Sequence, residues 1–121
     1  MLQILPTDHP AAVVVRASGT VDALQNAGAV GVVRRLARAH GRIGLLLDLV
    51  DAETIETAAL KLGLAFAAED RHAVHRLAVL GDGPLADRVE TLARGHTRAH
   101  VRRFPPSGRD RARAFVCRPL A

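Results

Sequence analysis

Acidic side chains follow two strongly apolar segments of the sequence. Asp48 and Asp51 come at the end of the run Ile43–Leu49, and Asp82 follows the later run His75–Leu80. Carboxylates this close together can bind a metal ion or share a proton, and open α/β sheets bind ligands beyond the carboxyl ends of their strands. Such residues also commonly cap the next helix or accept hydrogen bonds from loop amides. Both interpretations stay open, and the three aspartates are candidate ligand-binding residues.

Two pairs of histidines have spacings that suggest metal binding, His72 with His75 and His96 with His100. A zinc site needs three or four ligands, and the sequence has a single cysteine, Cys117. We therefore interpret these histidines as exposed or capping side chains. The sequence predicts no metal site and no cofactor.

The serines and the cysteine give little support to nucleophilic catalysis. Ser18 lies in a predicted strand, and Ser107 with Asp110 forms a predicted capping box. Neither serine lies in a strand–turn–helix elbow, and no histidine partner is implied for Cys117. The turn Gly81–Gly83 lacks the spaced glycines and the lysine of a phosphate loop. We predict that the chain is not an enzyme.

Apolar periodicity alternates between strand and helix along the chain. The order β-β-α-β-α-β-α-β-α predicts an α/β domain over residues 1–121, with a mostly parallel sheet of four to five strands, an antiparallel edge strand and about four helices. The predicted strands are Leu2–Leu5, Val13–Thr20, Ile43–Leu49, His75–Leu80 and Ala99–Phe104. The predicted helices run from an Asp22 cap to His40, then Ile55–Arg71, Leu85–Arg94 and Gly108–Cys117.

The core must be built without large aromatic residues. Hydrophobic residues make up 49% of the chain, which excludes a disordered protein, but there are three Phe, no Trp and no Tyr. Leu, Val and Ala fill space only where helices and sheet approach closely. Gly28 and Gly31, inside the first helix, therefore predict a close approach of that helix to the sheet.

The second helix has more apolar surface than one packed side needs. At about 100° per residue, one stripe contains Ile55, Ala59, Leu62 and Phe66 and is a natural face for the sheet. Leu60 and Leu64 lie on the opposite side, where a helix packed on one face is usually polar. Either the third helix covers this side, or Leu60, Leu64 and Phe66 border an apolar site or a partner surface.

Positive charge is concentrated near the C-terminus. The net charge is +5, and residues 94–121 contain eight Arg against one acid. Such a segment can attract an anionic membrane surface, although solvated arginines remain an alternative. Nucleic acid is not an expected partner, because aromatic stacking residues and a recognisable motif are missing. The lone cysteine and the lack of a signal peptide or a membrane-spanning run predict a cytoplasmic protein, peripheral at the membrane if it binds there.

Three segments, residues 37–51, 75–82 and 103–115, resemble the SpoIIAA-like family of STAS-type domains. The resemblance implies a compact domain that binds partners or ligands. In STAS-type anti-sigma-factor antagonists, a phosphorylated serine begins the helix after the central strand. Here that position falls on Ala58, beside Thr57, so the resemblance implies a module without the phosphorylatable serine. Small stand-alone members of the family are also compared with CRAL-TRIO lipid-binding domains, which implies apolar-ligand or membrane binding.

Together these observations predict a non-catalytic binding domain that uses its middle helices. Its candidate partners are an apolar small molecule or an anionic membrane surface. The alternative is a STAS-type regulatory module that recognises another protein, and a second copy of the chain is a further candidate partner.

Overall fold

The computed structural model describes residues 1–69 and 72–118, and within them five strands and four helices follow the predicted order. The strands are β1 Leu2–Pro6, β2 Ala12–Val21, β3 Ile43–Ile55, β4 Val74–Leu80 and β5 His100–Phe104. The helices are α1 Ala23–His40, α2 Thr57–Glu69, α3 Gly83–His96 and α4 Arg109–Val116. A short 3₁₀ turn, Pro106–Gly108, precedes α4.

The strands form one sheet in the order β1-β2-β3-β4-β5. β1 pairs antiparallel with β2, and the other three neighbouring pairs are parallel. A short loop suffices for the antiparallel pair, whereas each parallel pair needs a crossover, here supplied by a helix. The prediction of a mostly parallel sheet with an antiparallel edge strand is confirmed.

Helices cover both faces of this sheet. Successive side chains of a strand point to opposite faces, so β3 buries Leu45 and Leu49 against α1, α2 and α3. Its Leu46 is buried on the other face, with residues of α4 such as Phe115. Burial on both faces explains why β3 has a continuous apolar run rather than an alternating one.

Strand β3 continues to Ile55, past the predicted end at Leu49. Beyond Leu49 it keeps pairing with β2 after register shifts, for example through Ser18 with Asp51 and Val21 with Ile55. This extension mixes apolar and polar residues and is mostly exposed, so no apolar run marked it in the sequence.

Helix α2 accordingly begins at Thr57 rather than at Ile55. The backbone N–H of Glu56 still donates to the Val21 carbonyl oxygen at 2.9 Å, which continues the contact between the two strands. The structure follows α2 to Glu69, and its predicted end at Arg71 lies outside the described residues.

The capping predictions have different outcomes at the first and last helices. The Asp22 carboxylate accepts a hydrogen bond from the Gln25 backbone N–H at 2.8 Å, and Gly41 ends α1 with a φ of 82°. The prediction that Ser107 caps the last helix is wrong. Ser107 lies inside the 3₁₀ turn, which moves the N-cap position of α4 to Gly108, where no side chain caps the helix.

Close approach of a helix to the sheet occurs at α4 rather than at α1. A Cβ added at Gly28 would meet nothing within 4 Å, and one added at Gly31 would meet only the Arg35 guanidinium, at 3.7 Å. The prediction for these two glycines is therefore wrong. On β3, a Cβ at Gly44 would lie 2.8 Å from the Val116 carbonyl carbon, so only glycine lets α4 pack this closely.

The variant Gly44→Ala is expected to lower the free energy of unfolding by about 2 kcal/mol or more, because the backbone of α4 must move to admit a methyl group. Urea denaturation measures this difference. Gly28→Ala, in the open interior of α1, should instead raise stability by up to about 1 kcal/mol. Equal effects of the two variants would contradict the close packing of α4.

Candidate functional site

An apolar cavity of about 200 Å³ lies between the sheet and the helices α1, α2 and α3. The sheet contributes Val15, Leu45 and Leu77 to its wall, and the helices contribute residues such as Val33 and Val89. No acidic, lysine or arginine side chain lines the cavity in the part of the chain that the structure describes. The cavity therefore suits an uncharged, apolar molecule better than an ion.

Small residues on α2 explain why this space is open. Ala59 and Gly63 face the cavity, and neither fills the gap that a larger side chain would occupy. Asn26 of α1 donates its Nδ2 to the Ala59 carbonyl oxygen at 2.6 Å, which fixes α1 beside α2. The chain has three Phe, no Trp and no Tyr, and of the three Phe only Phe66 lines the cavity.

The three apolar candidates from the sequence, Leu60, Leu64 and Phe66, all line the cavity and are all half-buried. The orientation predicted for the helix is wrong, because Leu62 is 37% exposed instead of facing the sheet. The inward face of α2 is centred near Gly63, between the predicted stripe and the two leucines. Leu60 and Leu64 therefore share one wall with Ala59 and Phe66 rather than lying on the opposite side.

Charged side chains close the outer side of this wall. The Arg34 guanidinium of α1 lies over the Phe66 ring, 5.4 Å from its centroid, and contacts the Glu69 carboxylate at 2.7 Å. Glu69 is largely exposed and the Arg34 side chain is 40% exposed, so the ion pair itself contributes little stability. Its main effect is to hold the long arginine over the aromatic ring.

The few polar groups at the cavity are hydrogen-bonded. Thr97 donates its hydroxyl to the Ala93 carbonyl oxygen at 2.9 Å, and His96 Nδ1 lies 2.9 Å from the Leu92 carbonyl oxygen. Both contacts satisfy carbonyl groups at the C-terminal end of α3. These polar side chains thus serve the end of the helix at the margin of the apolar wall.

The three aspartates predicted from the sequence are not in the cavity wall. Asp48 is 2% exposed on the opposite face of the sheet, where its carboxylate accepts from Arg16 at 3.1 Å and from Arg109. Its second oxygen accepts from the Val50 backbone N–H at 3.2 Å. Asp51 lies exposed in the extension of β3, and a role in ligand binding stays a prediction for it and for Asp48.

Asp82 occupies the N-cap position of α3, but its side chain makes no capping hydrogen bond and is exposed. Its role in ligand binding also stays a prediction. Within residues 1–69 and 72–118, no three His, Cys, Asp or Glu side chains are grouped so that they could hold a metal ion.

The position implied for a phosphorylated serine lies at the start of α2. Thr57 is the first residue of the helix and is exposed, and Ala58 beside it is exposed as well. Of these two residues, only Thr57 has a hydroxyl group. Ser18 lies in β2, and Cys117, at the end of α4, is partly buried.

Several arginines of the C-terminal segment are paired within the fold. Arg103 of β5 contacts Asp87 at 2.8 Å and Glu90 at 3.1 Å, both on α3. A hydrogen bond from Arg94 is the main cause that lowers the pKa of Glu90, and Arg103 adds to it against the opposing effect of burial. These contacts neutralise part of the positive charge that the sequence concentrates in this segment. Among the helices that the structure describes, none is both long and apolar enough to span a bilayer.

The architecture has known structural relatives at low sequence identity. It matches an uncharacterized protein of the DUF3478 family with a SpoIIAA-like fold from Shewanella loihica PV-4, with a TM-score of 0.74 and 14% identity, covering 97% of this chain and 93% of that one. It also matches the anti-sigma factor antagonist SpoIIAA in its unphosphorylated form, with a TM-score of 0.66 and 14% identity over 93% of this chain and 98% of that one.

The Bacillus cell fate determinant SpoIIAA in its phosphorylated form gives a TM-score of 0.64 and 12% identity, covering 92% of this chain and 98% of that one. The fold is therefore the SpoIIAA-like fold. Comparison with family models matches residues 12–117 to the SpoIIAA-like family, and the chain belongs to that family. No curated protein matches the sequence. The fold and the family predicted from the sequence are confirmed.

Proposed function

We propose that this protein is a non-catalytic binding domain that takes up a small apolar molecule in the cavity between the sheet and α1, α2 and α3. The observation that carries the proposal is the cavity itself, about 200 Å³ of space with an apolar wall. Leu60, Leu64 and Phe66 are the residues of α2 that would contact the ligand.

The volume limits the class of ligand. An engineered apolar cavity of about 150 Å³ in another protein stays dry and binds benzene. The cavity here is somewhat larger, about 200 Å³, so it matches a single small ring or a short hydrocarbon chain. A lipid with two long acyl chains does not fit without movement of α2.

A size series of competitors tests this proposal. An apolar fluorescent dye bound to the protein should be displaced by toluene and butylbenzene, and much less by palmitate. Leu64→Asp should lose dye binding because it places a carboxylate in the apolar wall. Arg88→Ala changes an exposed residue of α3 and should leave dye binding unaltered. Absence of displacement by every member of the series would rule the cavity out as a binding site.

Contact with an anionic membrane is a second part of the proposal. It is supported by the exposed arginines of the C-terminal segment, including Arg98, Arg102 and Arg111. Vesicles containing phosphatidylglycerol should bind the protein, binding should weaken as salt rises, and phosphatidylcholine vesicles should not bind. Equal binding to both vesicle types would contradict the electrostatic contact.

The alternative function is recognition of another protein. It is supported by apolar side chains at the surface, Leu24 at 84% exposure and Leu62 at 37%, and by the likeness to a fold neighbour described as an anti-sigma factor antagonist. We expect Leu24→Glu or Leu62→Glu to abolish binding of a protein partner recovered from cell extract, or of a second copy of the chain. Dye binding should persist in both variants. Dye binding without any such partner would favour the small-molecule proposal.

A further inference from the structure

A second cavity, also about 200 Å³, lies at the edge of the sheet where the parallel strands β2, β3 and β4 begin. Its polar wall consists of three histidines and two arginines, His9, His40, Arg42, His75 and Arg118. No acidic side chain lines this cavity in the described part of the chain. The chemical character is thus opposite to that of the apolar cavity.

The topology brings these basic residues together. β2, β3 and β4 are parallel, so the segments that lead into them meet at one edge of the sheet. His9 precedes β2, Arg42 precedes β3, and His75 lies near the start of β4. The end of α4 leads to Arg118 at the same edge. Residues distant in sequence therefore form one basic pocket.

His75 is the residue of this pocket whose hydrogen bonding is poorly satisfied. Both of its ring nitrogens are buried, and neither makes a hydrogen bond of regular geometry within the described residues. Burial is the main cause that lowers the pKa of His75, and the positive charges of Arg76 and Arg42 lower it further. Backbone hydrogen bonds with Arg118 and Ile43, too long or too bent to have regular geometry, partly oppose this shift. A buried ring N–H with such poor backbone contacts is unfavourable, and a ligand with a better placed acceptor would stabilise it.

The other groups of the pocket are hydrogen-bond donors. His9 Nδ1 accepts from the Ala11 backbone N–H at 3.1 Å, so the neutral ring carries its proton on Nε2. Arg42 and Arg118 have guanidinium groups, which donate and cannot accept. His40 lies in the last turn of α1, where the carbonyl end of a helix favours basic side chains.

We propose that this pocket binds an oxyanion, a phosphoryl, sulfate or carboxylate group carried by a small ligand. An oxyanion has several hydrogen-bond acceptors and a negative charge. It therefore complements the side chains of the pocket, which offer hydrogen-bond donors and, on the arginines, positive charge. Because the bound anion favours a protonated His75, binding takes up a proton. The groups that face this ring are His9, His40, Arg42, Arg76 and Arg118, so affinity should rise as the pH falls from 8 to 6.

Sulfate is a suitable probe because it keeps its charge over this pH range. Titration at constant ionic strength, followed by the ring signals of His75 in NMR, should give a saturable shift. Arg42→Gln should weaken sulfate binding about tenfold through loss of a charge-assisted hydrogen bond. Arg88→Gln removes the same charge from the exposed surface of α3 and should leave the affinity unchanged.

His75→Gln keeps a donor but cannot titrate, and it should remove most of the pH dependence while retaining binding. A parallel titration with acetate distinguishes the source of the oxyanion, since binding of sulfate alone indicates a phosphoryl-like dianion and binding of both admits a carboxylate. A shift that does not saturate, or equal weakening by Arg42→Gln and Arg88→Gln, would overturn the proposal. Dye binding in the apolar cavity does not depend on this pocket, so the two proposals fail separately.

Discussion

The variant Gly63→Leu is expected to abolish binding of small apolar molecules while making the protein more stable. Gly63 lines the cavity, and a Cβ built there meets only the Asn26 amide nitrogen, at 3.7 Å. A leucine side chain can therefore enter the cavity and occupy the space of the ligand. Removing glycine from a helix should also raise the free energy of unfolding by about 1 kcal/mol.

Opposite changes in stability and binding make this variant informative, because a loss of binding cannot be ascribed to unfolding. Urea denaturation gives the stability, and dye titration gives the affinity. Gly28→Leu is the matched control, since it makes the same change on an open helix surface away from the cavity. It should raise stability and leave dye affinity unchanged. Full dye affinity in Gly63→Leu would show that the ligand binds elsewhere.

The variant Asp48→Ala is expected to lower the free energy of unfolding by about 3 kcal/mol, the scale for breaking a buried ion pair. It removes a carboxylate that is 2% exposed and that accepts from Arg16, Arg109 and the Val50 backbone N–H. The two arginines are each about one-third exposed, so water can reach them after the change, which keeps the cost from being larger.

Asp51→Ala is the control for this variant, because Asp51 lies exposed in the same strand and its removal should change stability by less than about 0.5 kcal/mol. Urea denaturation of both variants measures the difference. Dye affinity should be the same in both, since neither carboxylate lines the apolar cavity. A loss of dye affinity in Asp48→Ala alone would indicate that Asp48 contributes to the ligand site, which is the ligand-binding interpretation of this residue in the sequence.

Local patterns predict the fold well where one interaction dominates. The run Ile43–Leu49 has no alternation, and burial on both faces of a parallel sheet is the simplest cause of such a run. Asp22 with Gln25 marks the start of α1 through one hydrogen bond between near neighbours. The exposed extension of β3 to Ile55 is different, because pairing with β2 holds it and no local signal accompanies that pairing.

The cavity was predictable only in part. An excess of apolar residues on α2 indicates that Leu60 and Leu64 need a second contact, and both line the cavity. The side of α2 that faces the sheet is set by Ala59 and Gly63. Two small residues four positions apart on a helix are the sequence signal for this side. The second, basic cavity joins His9, Arg42 and His75 from separate loops, so only the parallel strand order could have revealed it.

Methyl-resolved NMR during a titration with toluene shows whether a small apolar molecule enters the cavity. We expect saturable shifts of the Leu60, Leu64 and Val89 methyl groups, which line the cavity. The methyl groups of Leu46, buried on the other face, and of Leu24, 84% exposed, should stay unchanged. No shift at Leu60 and Leu64, or equal shifts at Leu24, would contradict binding of the ligand in this cavity.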